Sequence, residues 1–191
     1  MSYYALLDKK IFSIQEYTLT PIRVEDRFLI MKWRNEQLYH LRQAKLLTTA
    51  DQDNYFNEVI AKEFDQEKPA QILFSFLKNG IFIGYGGLVH INYKDKNAEI
   101  SFIMNTASEA EYFEIYWLKY LTLLQKIAFQ ELKFHKIFTY AFDLRPKLYE
   151  VLQKNNFIKE ATLKEHCIFE GRFIDVVIHS KIENSKCTLD Y

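Results

Sequence analysis

Residues 71–104 read QILFSFLKNGIFIGYGGLVHINYKDKNAEISFIM. Three runs rich in β-branched and aromatic residues, Gln71–Leu77, Ile81–Ile91 and Ala98–Met104, are joined by short polar connections, which predicts three consecutive antiparallel strands. Lys78-Asn79-Gly80 supplies the first turn, because asparagine and glycine accept positive φ at little cost, and Tyr93–Asn97 supplies the second. Upstream, Ile14–Val24 reads as an earlier strand. The segment from Glu25 to about Leu41 carries Phe28, Leu29, Met31, Trp33 and Leu38 at helical spacing. Thr49-Ala50-Asp51-Gln52 fits a capping box that opens a second helix through Phe64. Downstream come the longest helix (Ser108–Leu132), a strand (Lys136–Phe142), a short helix (Arg145–Asn155), and a hairpin of Glu160–Phe169 and Arg172–Lys181 around Glu170-Gly171.

The order β-α-α-β-β-β-α-β-α-β-β predicts a mixed α/β (α+β) fold in three layers, a mostly antiparallel central sheet of about seven strands flanked by helices. No repeat or linker interrupts it, so residues 1–191 read as a single domain with a core of 17–181. Hydrophobic residues make up 49% and charged ones 26%, the balance of a globular chain. Sixteen Phe, 13 Tyr and 2 Trp against 5 Gly and 3 Pro imply bulky packing with few special backbone positions. Twenty-five basic residues balance 25 acidic ones, which gives little long-range pull on phosphate backbones and argues against a nucleic-acid partner. No run approaches the roughly 18 apolar residues of a membrane helix. Met1-Ser2-Tyr3-Tyr4 lacks the basic-then-apolar pattern of a leader, and Cys167 and Cys187 suit neither a disulfide framework nor a metal site, so a cytoplasmic location is expected. The aromatic surface allows a homodimer.

Several segments carry a resemblance. Met31-Lys32-Trp33-Arg34-Asn35, Ile83–Leu88 followed by Ala98–Phe102, Phe134–Tyr140, Asn155-Asn156-Phe157, and the Glu165-His166 and Asp175–Val177 pair occur in that order. Together they resemble the GNAT N-acetyltransferase superfamily, in its RimJ/RimL-like or amino-sugar N-acetyltransferase branch. The resemblance implies transfer of an acetyl group from acetyl-CoA to a primary amine. In that family the fourth and fifth strands splay, pantetheine pairs with the freed edge of the fourth, and the pyrophosphate rests on amides at the start of the next helix. On this pattern Phe102, Ile103 and Met104 flank the cofactor, with Tyr112, Phe113 and Arg145 near its diphosphate. The family's glycine-rich pyrophosphate loop is missing, since no glycine lies between Gly87 and Gly171. Glu109, Glu111 and Glu114 gather in its place, and Ser108-Glu109-Ala110-Glu111 fits a capping box that would occupy the first amides.

Glu99 stands where several members place the base that takes the amine proton, often through water. Among Ala98, Ile100 and Phe102 its pKa would be raised by desolvation; the plainer reading is a solvent-facing carboxylate. Tyr149 lies one turn below Leu152, the position that often holds a general-acid tyrosine. Arg34, His40 and Arg42, with Gln43 beside them and Tyr85 in the third strand, form the expected acceptor side, where an arginine would grip a phosphate or carboxylate. Equally, Arg34 would serve only to tie its helix to Glu36 or Asp26. His90 reads as a packed histidine, and Arg145 and Lys147 as solvated charges. The expected acceptor is a small-molecule amine such as a nucleotide-linked amino sugar of surface-polysaccharide synthesis, or a protein N-terminus. The alternative is a catalytically degenerate binding or assembly module whose cleft is filled by Tyr112, Trp117 or Tyr149.

Overall fold

A computed structural model describes residues 3–183 of the chain; Cys187 falls outside them. One eight-stranded sheet has the order β1-β2-β3-β4-β5-β6-β8-β7. Its strands are β1 (Phe12–Ile14), β2 (Tyr17–Pro21), β3 (Ile72–Lys78), β4 (Ile81–Asn92), β5 (Asn97–Met104), β6 (Lys136–Phe142), β7 (Ile158–Phe169) and β8 (Arg172–Ile182). Every neighbouring pair is antiparallel except β5 and β6. The eighth strand arises because the expected first strand is a hairpin: Ile14 pairs with Tyr17 across Gln15-Glu16, and Gln15 takes φ 53°. The Asn79-Gly80 and Glu170-Gly171 turns use positive φ at both residues, as two-residue hairpin turns require.

The helices are α1 (Arg27–Glu36), α2 (Thr49–Tyr55), α3 (Ala61–Glu63), α4 (Glu109–Gln125) and α5 (Pro146–Lys154). Wider π turns continue α2 through Phe56–Ile60 and α4 through Lys126–Glu131. The capping box of α2 is real but sits one residue earlier than expected: the Thr48 hydroxyl accepts from Asp51 N at 3.1 Å and the Asp51 carboxylate accepts from Thr48 N at 2.9 Å.

Strand periodicity divides the core between two faces. On one face, Phe76 and Phe102 meet α4: Tyr120 stacks on Phe102 at 4.0 Å between centroids, with Trp117 edge-on to Phe102 at 4.8 Å. On the other face, α1 lays Trp33 on Phe82 at 4.8 Å. On that same side, Ser75 Oγ donates to the buried Asp26, which also accepts both Nε and Nη2 of Arg23. Helices on both sides of one sheet make the three layers. Gly86 has a specific reason to be glycine: a Cβ there would lie 2.0 Å from Ser101 O and 2.7 Å from the Tyr120 hydroxyl. Its absence lets that hydroxyl donate to Ser101 O at 2.7 Å, which pins α4 to β5.

Candidate active site

The sheet opens at one place. β5 and β6 pair only through Asn97–Lys136, Ala98–Ile137 and Glu99–Phe138. Beyond Glu99, β5 follows β4 as far as Met104, whereas β6 follows β8 as far as Phe142, so the edges diverge. The gap is a cleft of about 590 Å³ lined by β5 from Glu99 to Phe102, β6 from Thr139 to Phe142, and side chains from the α1–α2 connection and the helices.

Glu99 stands at the last paired rung, 6% exposed. Strand alternation turns it to the α1 face, where the Arg42 guanidinium is bonded to its carboxylate. Burial raises the Glu99 pKa; Arg42 and then His90 oppose that rise. Arg42 lies in the connection after α1, its side chain 45% exposed and its guanidinium 4.5 Å above the Tyr140 ring. The position of this connection is fixed from below: buried Gln37 donates to Met104 O at 2.8 Å and to Thr106 Oγ1 at 2.9 Å.

At the other end of the opening, Arg145 makes a rim contact between three elements. From the N-cap of α5, its Nη2 donates to Glu109 at the start of α4 at 2.6 Å, and its Nη1 faces the His40 ring, 2.9 Å from Nε2 and 3.3 Å from Nδ1. An arginine only donates, so one ring nitrogen of His40 accepts from Arg145 and the neutral ring carries its single proton on the other; Nε2 also lies 3.2 Å from the Gln37 side-chain oxygen. Burial first, then the Arg145 charge, push the His40 pKa down to about 3.

Sequence-expected residues divide clearly. Arg34, His40, Arg42, Glu99, Phe102 and Arg145 line the cleft together. Arg145 is 12% exposed and paired, not a solvated charge as expected. Tyr85 lines an adjoining pocket of about 220 Å³ and reaches the cleft through Arg34, whose Nη1 donates to the Tyr85 hydroxyl at 2.8 Å while Nε donates to Gln43 at 2.8 Å. Arg34 therefore ties to neither Glu36 nor Asp26. Ile103 and Met104 are buried away from the opening; Ile103 pairs with Tyr85 of β4, and the Met104 carbonyl already accepts from Gln37. Tyr112 stacks on Tyr116 at 5.2 Å and Phe113 lies under Arg145; neither lines the cleft. Tyr149 turns away too: its hydroxyl donates to Asp143 at 2.8 Å and its ring stacks on His179 at 5.0 Å. His90 is not packed. The bulge between Val89 and Asn92 gives it φ 47° and leaves its side chain 64% exposed, with Nε2 3.9 Å from Glu99.

Tyr140 is the cleft residue that the sequence reading passed over. Burial pushes its hydroxyl up to about 12, and that hydroxyl lies 3.6 Å from Cys167 Sγ. Counting by two along Lys136–Phe142 brings Tyr140 to the face of Phe138, a signal too weak alone to mark it.

The glutamates at the start of α4 are less hostile to an anion than their sequence implied. Glu109 is neutralised by Arg145 and Glu114 by Lys154. The expected Ser108 capping box does not form; Asn105 instead accepts from Ala107 N at 3.1 Å. Among the described residues no cluster of metal-ligating side chains occurs and no helix is long and apolar enough to cross a membrane.

Comparison with known proteins agrees with this geometry. The profile of the acetyltransferase (GNAT) domain matches residues 19–178. A solved spermidine N-acetyltransferase from Vibrio cholerae, in complex with CoA and spermine, superposes with a TM-score of 0.74 at 20% identity over 87% of this chain and 95% of that one. Mutant forms of the spermidine/spermine N-acetyltransferase SpeG from the same organism give 0.73 at 21% identity over 87% and 94%. At such identity the superpositions establish a shared fold.

Proposed function

This chain belongs to the acetyltransferase (GNAT) domain family, whose members use acetyl-CoA, and we propose that it carries the acetyl group to the primary amine of a small molecule bound beside Glu99. The observation that carries the site assignment is the position of Glu99, a buried carboxylate at the point where β5 and β6 part. The residues suit the donor. From Ile100 onward β5 has no strand partner on the β6 side, so its backbone is available to pantetheine. Trp117, on the cleft wall, keeps a buried Nε1 without a hydrogen-bond partner among the described residues, a spare donor in a place where spare donors are costly. Arg145 would meet the diphosphate in place of the missing glycine loop.

In the reaction the amine nitrogen bonds to the thioester carbonyl carbon, the carbon–sulfur bond breaks, and the electron pair leaves on sulfur. Glu99 accepts the proton lost by nitrogen, directly or through water, and the thiolate is then protonated from solvent. A β5 amide facing the gap would stabilise the developing oxyanion. Tyr149, tied to Asp143, takes no part. The acceptors to weigh are a nucleotide-linked amino sugar and a protein N-terminal amine; the structural likeness adds polyamines. The rings near the cleft form its walls and leave it open, which supports an enzyme over a degenerate binding module. Titration calorimetry with acetyl-CoA, paired with release of free CoA thiol on adding amines, tests the proposal; no heat of binding at millimolar acetyl-CoA would end it.

A further inference from the structure

The charges around the cleft bear on the acceptor. Three guanidiniums line it, those of Arg34, Arg42 and Arg145, against one lining carboxylate, Glu99. Counting Glu109 at the rim, three positive charges meet two negative ones, a net of one positive. His40 is held neutral. A polyamine would bring several more positive charges into this wall. The arginines differ in what they have left to offer. Arg34 gives two of its five N–H donors to Gln43 and Tyr85, and Arg145 gives two of its five to His40 and Glu109. Arg42 donates through one nitrogen to Glu99 and to no other group among the described residues, although it carries five N–H donors. It is half exposed at the mouth, on irregular chain, and its stacking on Tyr140 keeps the guanidinium plane in the opening.

We propose that the acceptor is an amine that also bears a carboxylate or phosphate, and that this anion draws Arg42 away from Glu99, freeing the carboxylate to take the amine proton. The inference rests on the proposed acetyl transfer. A planar, bidentate fork suits either anion. Glu99 and the incoming anion compete for the same guanidinium, so a correct acceptor switches on its own base, whereas a cation or neutral amine leaves Arg42 in place. The other titratable and charged side chains facing Glu99 and the opening are Arg34, His40, His90, Tyr140 and Arg145.

The test compares acceptors of matched size: 4-aminobutyrate against n-butylamine, O-phosphoethanolamine against ethanolamine, and spermidine alone. CoA thiol release is followed from pH 5 to 9, with acetyl-CoA binding measured separately by calorimetry. The expected result is a kcat/KM at least about tenfold higher for an anion-bearing amine than for its anion-free counterpart and for spermidine. The stronger of the two pairs identifies carboxylate or phosphate. The acid limb of the pH profile should lie higher with the anionic acceptor. In Arg42→Gln the anionic advantage should vanish and the acid limb for anion-free amines should rise to the same position, which a merely structural arginine would not cause. Preference for spermidine, equal rates within both pairs, or an unchanged preference in Arg42→Gln overturns the inference while the donor site stands. Failure of acetyl-CoA to bind removes both.

Discussion

Glu99 sits between opposed influences: burial favours its protonated form, and Arg42 favours the carboxylate. Because burial prevails, its pKa lies above the usual glutamate range, and a rate that needs the carboxylate should rise with pH through an inflection above that range. Glu99→Gln should lower kcat by about 10²–10⁴-fold, remove that inflection, and leave the dissociation constant of acetyl-CoA within about twofold; stopped-time thiol assays across pH decide it. His40 makes a separate prediction about stability. Its folded pKa of about 3 is depressed from 6.5, so the unfolded chain binds a proton that the folded chain refuses as pH falls below about 6.5. Relative to His40→Asn, the parent protein should lose up to about 1.4 kcal/mol per pH unit between 6 and 4, read by urea denaturation; equal slopes would refute it. At this scale the sequence was legible for the burial of Glu99, which its apolar neighbours Ala98, Ile100 and Phe102 foretold. It was not legible where a side chain's direction depends on a remote partner. Nothing near Tyr149 in sequence announces that its ring will stack on His179 of β8, and no local pattern predicts the positive φ that expels His90.

The elements were easier to read than their seams. The Asn79-Gly80 turn between β3 and β4, and the strands on either side of it, followed from turn chemistry and composition, and β6 was bounded correctly because its aromatic and β-branched run lies between Lys136 and Asp143. The Gln15-Glu16 turn escaped because neither residue advertises positive φ, so the expected strand ran from Ile14 through the turn into β2 and β1 went unseen. The helix of α4 was expected to run to Leu132; it ends one residue earlier, at Glu131, through a π turn from Lys126 that the apolar spacing cannot distinguish from α. Gly86 carries the clearest prediction for an element. Gly86→Ala places a methyl group against Ser101 O and the Tyr120 hydroxyl, neither of which is free to retreat. It should cost about 1–3 kcal/mol in urea unfolding and should weaken acetyl-CoA binding by displacing β5. A variant as stable as the parent would mean that β4 yields more readily than its packing implies.

For the molecule as a whole, the layer order and the divergence of β5 from β6 matched expectation, whereas the electrostatics of the cleft did not follow from composition. A net charge of zero says nothing about where three arginines converge, because they come from α1, from the connection after it and from the start of α5. The narrow junction of the sheet has a mechanical consequence. Three rungs join a five-stranded plate to a three-stranded one, so the protein resembles a plank split along most of its grain. A donor lodged in the split would act as glue. With acetyl-CoA at one hundred times its dissociation constant the fold should gain about 2.7 kcal/mol. Amide exchange should slow most along Ile100–Met104, the splintered edge, and the two plates should then melt as one piece.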